Sequence, residues 1–380
     1  MRFLHTADLH LDSPFASADA FASEARREEQ REVLQRIFDL AKKEKCQMIL
    51  IAGDLFDVKS ITVETEKYVT ELFRNADMPV VIAPGNHDPY VEGSFYSKTE
   101  FSDNVYIFSS NELQRFDFPE LRARVYGYAF TSAALTYSPL NGQPPAIRDG
   151  CADILCAHAD ISSPVSRYCP LTVGDIRAFG LDYAALGHNH NQIGDALSGD
   201  ESIRYCGFAE GRSFDELGDG GVYIVDVEYG VAPKIERKTV SVRKYEIKEL
   251  DISECEDTAS LKGEIRKICS EFDGDKTTFL RLNLVGNAEA GVVSDTDTLE
   301  DELSTEKIIL QIKDMSLPVA DISALKNDIS LRGAFYNVLL SGLNDPDPEA
   351  RARNTLALRI GLSAIDGGRI AEEKSKYEDN

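Results

Sequence analysis

The 380-residue chain contains only six histidines, His5, His10, His87, His158, His188 and His190, and all lie before residue 191. Several stand beside carboxylates or glycine turns. Asp8-x-His10 follows the apolar run RFLHTA, and Gly53-Asp54-x-x-Asp57 follows QMILIA. Gly85-Asn86-His87-Asp88 ends MPVVIAPGNHD, His158 ends ADILCAH, and Gly187-His188-Asn189-His190 ends DYAALGH. Each group alone is ordinary, since an aspartate often caps a helix and a lone histidine is commonly structural. Together, five strand ends each offer a hard oxygen or an imidazole, which chance rarely arranges. Imidazole and oxygen donors without cysteine suit manganese, iron, zinc or nickel better than calcium. The ligand count closes for two ions. Asp8, His10 and His190 serve one site, Asn86, His158 and His188 serve a second, and Asp54 bridges them through its two carboxylate oxygens. Two divalent ions less the charges of Asp8 and Asp54 leave about two positive charges, which suits a phosphodiester anion.

The elements that must hold these residues follow from periodicity. RFLHTAD reads as a first strand that starts almost at once, not as a secretory signal. Residues 24–45 read as an amphipathic helix with Val33, Leu34, Ile37, Phe38 and Ala41 on one face. QMILIAGD is a continuous apolar strand, as in a sheet covered on both faces. Residues 62–75 read as a second helix with Val69, Leu72 and Phe73 inward, and MPVVIAPGNHD as a third strand with its exit loop. The β-α-β-α-β order predicts a largely parallel sheet, whose strand-end loops are where such folds bind ligands. NVYIFS, ARVYGYAF, ADILCAH, DYAALGH, SIRYCG and GGVYIVDV are further strands, read as a second sheet packed on the first. Residues 131–150 read as a long loop.

Beyond about residue 240 the pattern changes to a smaller α+β region without histidine. KYEIKEL, TTFLRLNLVGN and EKIILQIKDM read as strands. Residues 258–272 and 347–366 read as helices, the latter with Leu356, Ile360, Leu362 and Ile365 as its apolar face. Two domains follow: 1–240, bearing the site, and 241–380, an α+β cap with a C-terminal helical region.

The formal net charge is −24. It is spread along the chain, with 23 basic against 37 acidic residues in 1–240 and 18 against 28 in 241–380. Such acidity argues against a free-standing nucleic-acid binder, but not against a nuclease whose metals supply the positive field. No apolar run approaches the roughly 20 residues that span a membrane. The seven cysteines form no C-x-x-C pair and several sit in apolar strands, so they read as reduced thiols of a cytoplasmic protein.

The motif series resembles that of the calcineurin-like metallophosphoesterases: D-x-H, G-D-x-x-D, G-N-H-D, H and G-H-x-H. More narrowly, FLHTADLHLDSPF, GDLFDVKS and CGFAEGRSFDELGDGGVYIVDV resemble the SbcD/YhaO group of bacterial DNA repair exonucleases. The likeness covers about the first 230 residues. It implies an α/β, four-layer metallophosphoesterase sandwich of two mixed β-sheets flanked by helices, with a smaller α+β cap domain. It also implies metal-dependent phosphodiester hydrolysis, with two ions, manganese foremost, that activate a water and orient the phosphate. His87, left without a metal, would protonate the leaving oxygen or stabilise the phosphate. Asp88 would orient His87 or cap its turn, and Asp57 would stand behind the ligands or cap a helix. His5 reads as structural, and Arg212 as a phosphate contact or, in preference, one half of an ion pair. The implied function is a DNA exonuclease of DNA repair, partnered with DNA and an SMC-like coiled-coil ATPase of the SbcC/YhaN type and forming a homodimer. Leu356, Ile360 and Ile365 would either dock that ATPase or form the cap's core. A small-molecule or cyclic-nucleotide phosphodiesterase is the alternative. A protein phosphatase is disfavoured, because the chain has GDLFDVKS and GNHD where that group has G-D-x-V-D-R-G and G-N-H-E. A non-catalytic subunit is disfavoured because every ligand position is filled.

Overall fold

Strands too short to stand alone gain their place by burying both faces. A computed structural model describes residues 1–13, 20–57, 61–191, 199–272, 274, 276–289, 291–293, 295–318 and 322–365. The chain divides into two compact units, Met1–Lys244 and Tyr245–Asn380. The first unit begins β1 (Arg2–Thr6), α1 (Ala20–Lys43), β2 (Ile49–Ile51), α2 (Val63–Arg74), β3 (Val80–Ile82), α3 (Phe95–Lys98) and β4 (Val105–Ile107). It continues β5 (Gln114–Phe118), β6 (Ala123–Gly127), β7 (Ala152–His158), α4 (Val173–Phe179), β8 (Tyr183–Gly187), β9 (Ile203–Tyr205) and β10 (Gly218–Glu228). A long strand, β11 (Val231–Asp251), follows.

One mixed sheet of this unit has the order β11-β10-β1-β2-β3-β4, and the other runs β5-β6-β7-β8-β9. Strands β1 to β4 are parallel, as are β6 to β9, while β10 and β5 pair antiparallel with β1 and β6. The period-2 alternation of a strand sorts its side chains into layers. Leu4, Ile49, Ile51, Val80 and Ile82 face α1 and α2, packing on Leu34, Ile37 and Phe73. Phe3, Leu50 and Val81 face the other way, into a core shared with Ile154, Cys156 and Ala185 of the second sheet. Leu155, Ala157 and Leu186 bury the outer face of that sheet under Ile176 and Phe179 of α4. The result is four layers, helix–sheet–sheet–helix.

Two sequence expectations change here. NVYIFS and GGVYIVDV supply β4 and β10 of the first sheet, not strands of the second. Apolar composition shows that a strand is buried, not which sheet it joins. The expected helix faces hold: Val33, Leu34, Ile37, Phe38 and Ala41 are buried on α1, and Val69 and Phe73 on α2. Residues 131–150 carry no helix or extended strand. All seven cysteines are free thiols.

The second unit contains α5 (Thr258–Ser270), β12 (Thr277–Val285), β13 (Asn287–Ala288), α6 (Thr296–Leu303), β14 (Ile308–Asp314), β15 (Leu317–Pro318), α7 (Ile322–Asn327), α8 (Leu331–Leu343) and α9 (Pro348–Ile365). Strand β12 buries alternate residues, Leu280, Leu282 and Leu284, against Leu261 and Ile265 of α5 and Leu299 of α6. It pairs in parallel with β14. Leu325, Tyr336, Leu358 and Leu362 form a separate small core. The core face of α9 is therefore Leu358 and Leu362, whereas Leu356 and Ile360 are 49 % and 41 % exposed. Among the described residues no helix is long and apolar enough to cross a membrane.

Candidate metal centre

Parallel strands β1, β2 and β3 end side by side, and the loops that leave them are stitched together by backbone. Asp8 N donates to Gly53 O (3.1 Å), and His10 N to Asp54 O (2.9 Å). In the second sheet His158, the last residue of β7, is in register with Gly187 of β8. The turns are tight enough to force left-handed backbone on ordinary residues, with φ of 51° at Asp8, 45° at His10, 49° at Asp54 and 108° at His188. Such conformations cost about 1–3 kcal/mol each and persist where surrounding structure imposes them, often at functional sites. Gly53 (φ 93°) is required twice over, because a Cβ there would lie 2.3 Å from His158 Nδ1.

The side chains that the sequence singled out converge. Asp54 Oδ2 lies 3.6 Å from His10 Nε2 and 3.3 Å from His158 Nε2. Its Oδ1 is occupied by the backbone N–H of His87 (2.9 Å). One oxygen of Asp54 therefore faces both imidazoles, in place of the expected division between its two oxygens. Asp8 Oδ1 lies 3.5 Å from His190 Nε2 and 3.9 Å from His158 Nδ1. His10 Nε2 and His190 Nε2 are 3.2 Å apart, and Asn86 Oδ1 lies 3.0 Å from His158 Nε2. His188 donates its backbone N–H to Asp8 and packs its ring on His158, centroids 5.2 Å apart, and on Tyr168.

The donor set fits divalent cations. His158 Nδ1 lies 3.1 Å from Ala52 O, an acceptor only, so that nitrogen carries the proton and the Nε2 lone pair points inward. There it meets Asp54 and Asn86 oxygens. Lone pairs facing lone pairs in a buried place require a positive charge between them. Without an ion a proton on Nε2 supplies that charge, and a bound cation would displace it. Burial opposes charge on His158, yet Asp54 and Asp8 outweigh it and push the ring up to about 9. His190 is likewise opposed by burial but pushed up to about 10 by Asp8 and Glu216. Burial also works against charge on Asp54, but His158 and His10 hold it well below the usual carboxylate range. The compact groups Asp8–His10–His190, His10–Asp54–His87 and Asp8–Asp54–His158 can each hold an ion.

The predicted role of Asp88 in orienting His87 does not match the structure. Asp88 is buried and spends its oxygens on the backbone N–H groups of Gly85 (2.7 Å), Leu55 (2.8 Å) and Phe56 (3.2 Å) and on the Tyr96 hydroxyl (2.6 Å). It ties the second loop to the third. The carboxylate beside the His87 ring is Asp57, 3.8 Å from Nδ1, and it raises the pKa of His87. The His87 side chain is 46 % exposed and stacks edge-on against His10, so it is open to a substrate.

His5 does not end a strand. It is buried within β1, its ring held by Tyr183 Oη (3.0 Å) and Leu186 O (3.2 Å) of the second sheet, and burial lowers its pKa to about 3. Arg212 pairs with Glu216 as expected for an ion-pair partner. Glu216 itself was missed. It is buried, 2.6 Å from His190 Nδ1. The stretch GRSFDELGDGG, already noted for its resemblance, was the available signal.

Comparison with known proteins agrees with this geometry. The family described as Calcineurin-like phosphoesterase matches residues 1–199. The chain is 32 % identical over 245 residues to the uncharacterized metallophosphoesterase YhaO of Bacillus subtilis (strain 168), covering 60 % of this chain and 58 % of that protein. It is 27 % identical over 261 residues to the SbcD component of the nuclease SbcCD of Staphylococcus epidermidis, covering 60 % and 66 %. The chain thus spans less than two thirds of either relative. The family uses a dinuclear divalent-metal site. The chain belongs to the calcineurin-like phosphoesterases, and within them it resembles the SbcD/YhaO group.

Proposed function

We propose that the chain is a two-metal phosphodiesterase that removes nucleotides from DNA during repair. The observation that carries the reading is that Asp54 Oδ2 stands within 3.6 Å of imidazoles from both ligand sets, so that one carboxylate could serve both. Asp8, His10 and His190 would hold one ion, and Asn86, His158 and His188 the other, with Asp54 common to both. Manganese suits the donors, with iron, zinc or nickel as substitutes. The ions would supply Lewis-acid activation of a water and neutralise phosphate charge.

The chain's own residues do the rest. His87 is exposed at the rim and made more basic by Asp57, so it can carry a proton to a departing oxygen. Asp88 keeps the His87 loop against the Asp54 loop. DNA is favoured over other esters by likeness to a protein named as part of a nuclease. That name, a subunit's, also supports a partner subunit, read here as the coiled-coil ATPase that the sequence resemblance implies, and the exposed Leu356 and Ile360 of α9 are available to it. The second unit is proposed as the cap that admits strands. The free cysteines accord with a cytoplasmic setting.

The test is Mn2+-dependent cleavage of labelled single- and double-stranded DNA beside bis-p-nitrophenyl phosphate. Wild type should release nucleotides. His87→Ala should slow release by about 10²–10⁴-fold while keeping its bound Mn2+. Cleavage of the small ester but never of DNA would establish the alternative, a small-molecule or cyclic-nucleotide phosphodiesterase, which the net charge of −24 favours.

A further inference from the structure

The two imidazoles with a fixed tautomer are fixed by different means. The partner of His158 Nδ1 is a main-chain carbonyl, that of Ala52. The partner of His190 Nδ1 is the carboxylate of Glu216, at 2.6 Å. Glu216 is only 4 % exposed, and a buried carboxylate must be compensated. Arg212 does this. Its Nη2 donates to Oε1 (2.7 Å), its backbone N–H to Oε2 (2.8 Å), and its Nε lies 3.2 Å from Oε1. The pair spans one helical-turn spacing of four residues in the stretch GRSFDE, so a single short segment brings both the charge and its counter-charge.

We propose, on the two-metal reading above, that Glu216 is a positioning residue. It holds the proton of His190 on Nδ1, leaves the Nε2 lone pair facing Asp8 and His10, and makes that nitrogen a stronger donor to a metal. The opposite tautomer meets a specific obstacle. Arg212 Nη2 also lies 3.0 Å from His190 Nδ1, so Arg212 could donate to a bare Nδ1. An unprotonated Nδ1 would then face a carboxylate oxygen at 2.6 Å, acceptor against acceptor. It would also put the His190 proton on Nε2, between the ring and His10 Nε2 at 3.2 Å, where a metal is to bind. The shorter contact decides the tautomer. Carboxylates placed behind metal-binding histidines commonly set ring orientation and basicity, and their loss weakens metal binding by about 10–100-fold.

The experiment measures Mn2+ binding by calorimetry, independent of turnover, for wild type, Glu216→Gln and the charge-balanced double variant Glu216→Gln/Arg212→Gln. Wild type should bind two ions. Glu216→Gln should weaken one event by about 10–100-fold and leave the other unchanged. The double variant should recover thermal stability yet keep the weakened event. A double variant with wild-type binding would show that Glu216 merely balances Arg212, and the inference would fall while the two-metal reading stood. Wild type that binds no Mn2+ would overturn both. A further readout needs no variant of Glu216: ¹⁵N-histidine spectra of the Zn2+-loaded wild type, with His190 assigned through His190→Gln. A proton on His190 Nδ1 supports the assignment, and a proton on Nε2 overturns it.

Discussion

His158 and His190 do similar work from unlike surroundings. His158 has no exposed surface, and a carbonyl of β2's exit, built into the sheet, holds its ring. His190 has a side chain 21 % exposed and is held by the side chain of Glu216 in a later segment, itself paired with Arg212. One side of the centre is therefore a consequence of strand packing, and the other an attachment to it. His10 differs from both, since its buried Nδ1 has no hydrogen-bond partner among the described residues. A main-chain partner cannot be lost by substitution but carries no net charge. A carboxylate partner can be lost, yet it strengthens the ring it orients.

The comparison can be broken most severely at the atom the two sides share. Asp54→Asn removes the oxygen that faces both rings and should abolish both Mn2+ binding events and take phosphodiester cleavage to background. Retention of either event in calorimetry would mean that the two sets do not meet at Asp54. A selective break is Gly53→Ala. Its Cβ would clash with His158 at 2.3 Å in a left-handed backbone. Strain of this kind costs about 1–3 kcal/mol, which lowers Tm by roughly 2–4 °C per kcal/mol for a domain of this size. The Mn2+ event on the His158 side should weaken, and the one on the His190 side should not. The smallest effect is expected at Asp57→Asn, which leaves His87 without its carboxylate. Turnover should fall by about tenfold, the low end of what such carboxylate partners are worth, with Mn2+ binding unchanged, whereas Asp88→Asn should act chiefly on thermal stability through the loop contacts of its carboxylate.

A broader contrast separates the two units. In the first, strand-end loops gather polar side chains under backbone strain. In the second, β12 alternates cleanly between one buried and one half-buried face, and no histidine occurs. A regular pattern of that kind builds support, whereas the irregular turns after continuous apolar strands build chemistry. The exposed Leu331, Val338, Leu356 and Ile360 of α8 and α9 are among the apolar side chains of the second unit that its own core does not use.

Local sequence was enough to reveal the parallel β-α-β core, because a continuous apolar run bounded by turn residues must be buried on both faces. It was enough to nominate the residues of the centre, because imidazoles are few and stand beside strand ends. It could not say that β4 and β10 join the first sheet, since burial carries no address. By sequence Asp88 was the carboxylate expected beside His87, and Asp57 a residue behind the ligands or a helix cap. Only the packing of loops showed that Asp88 is consumed by backbone N–H groups and that Asp57 stands beside the ring. The carbonyl of Ala52 and the carboxylate of Glu216 became visible only in three dimensions. A hydrogen-bond partner is defined by a distance of about 3 Å and a direction, and residue type specifies neither.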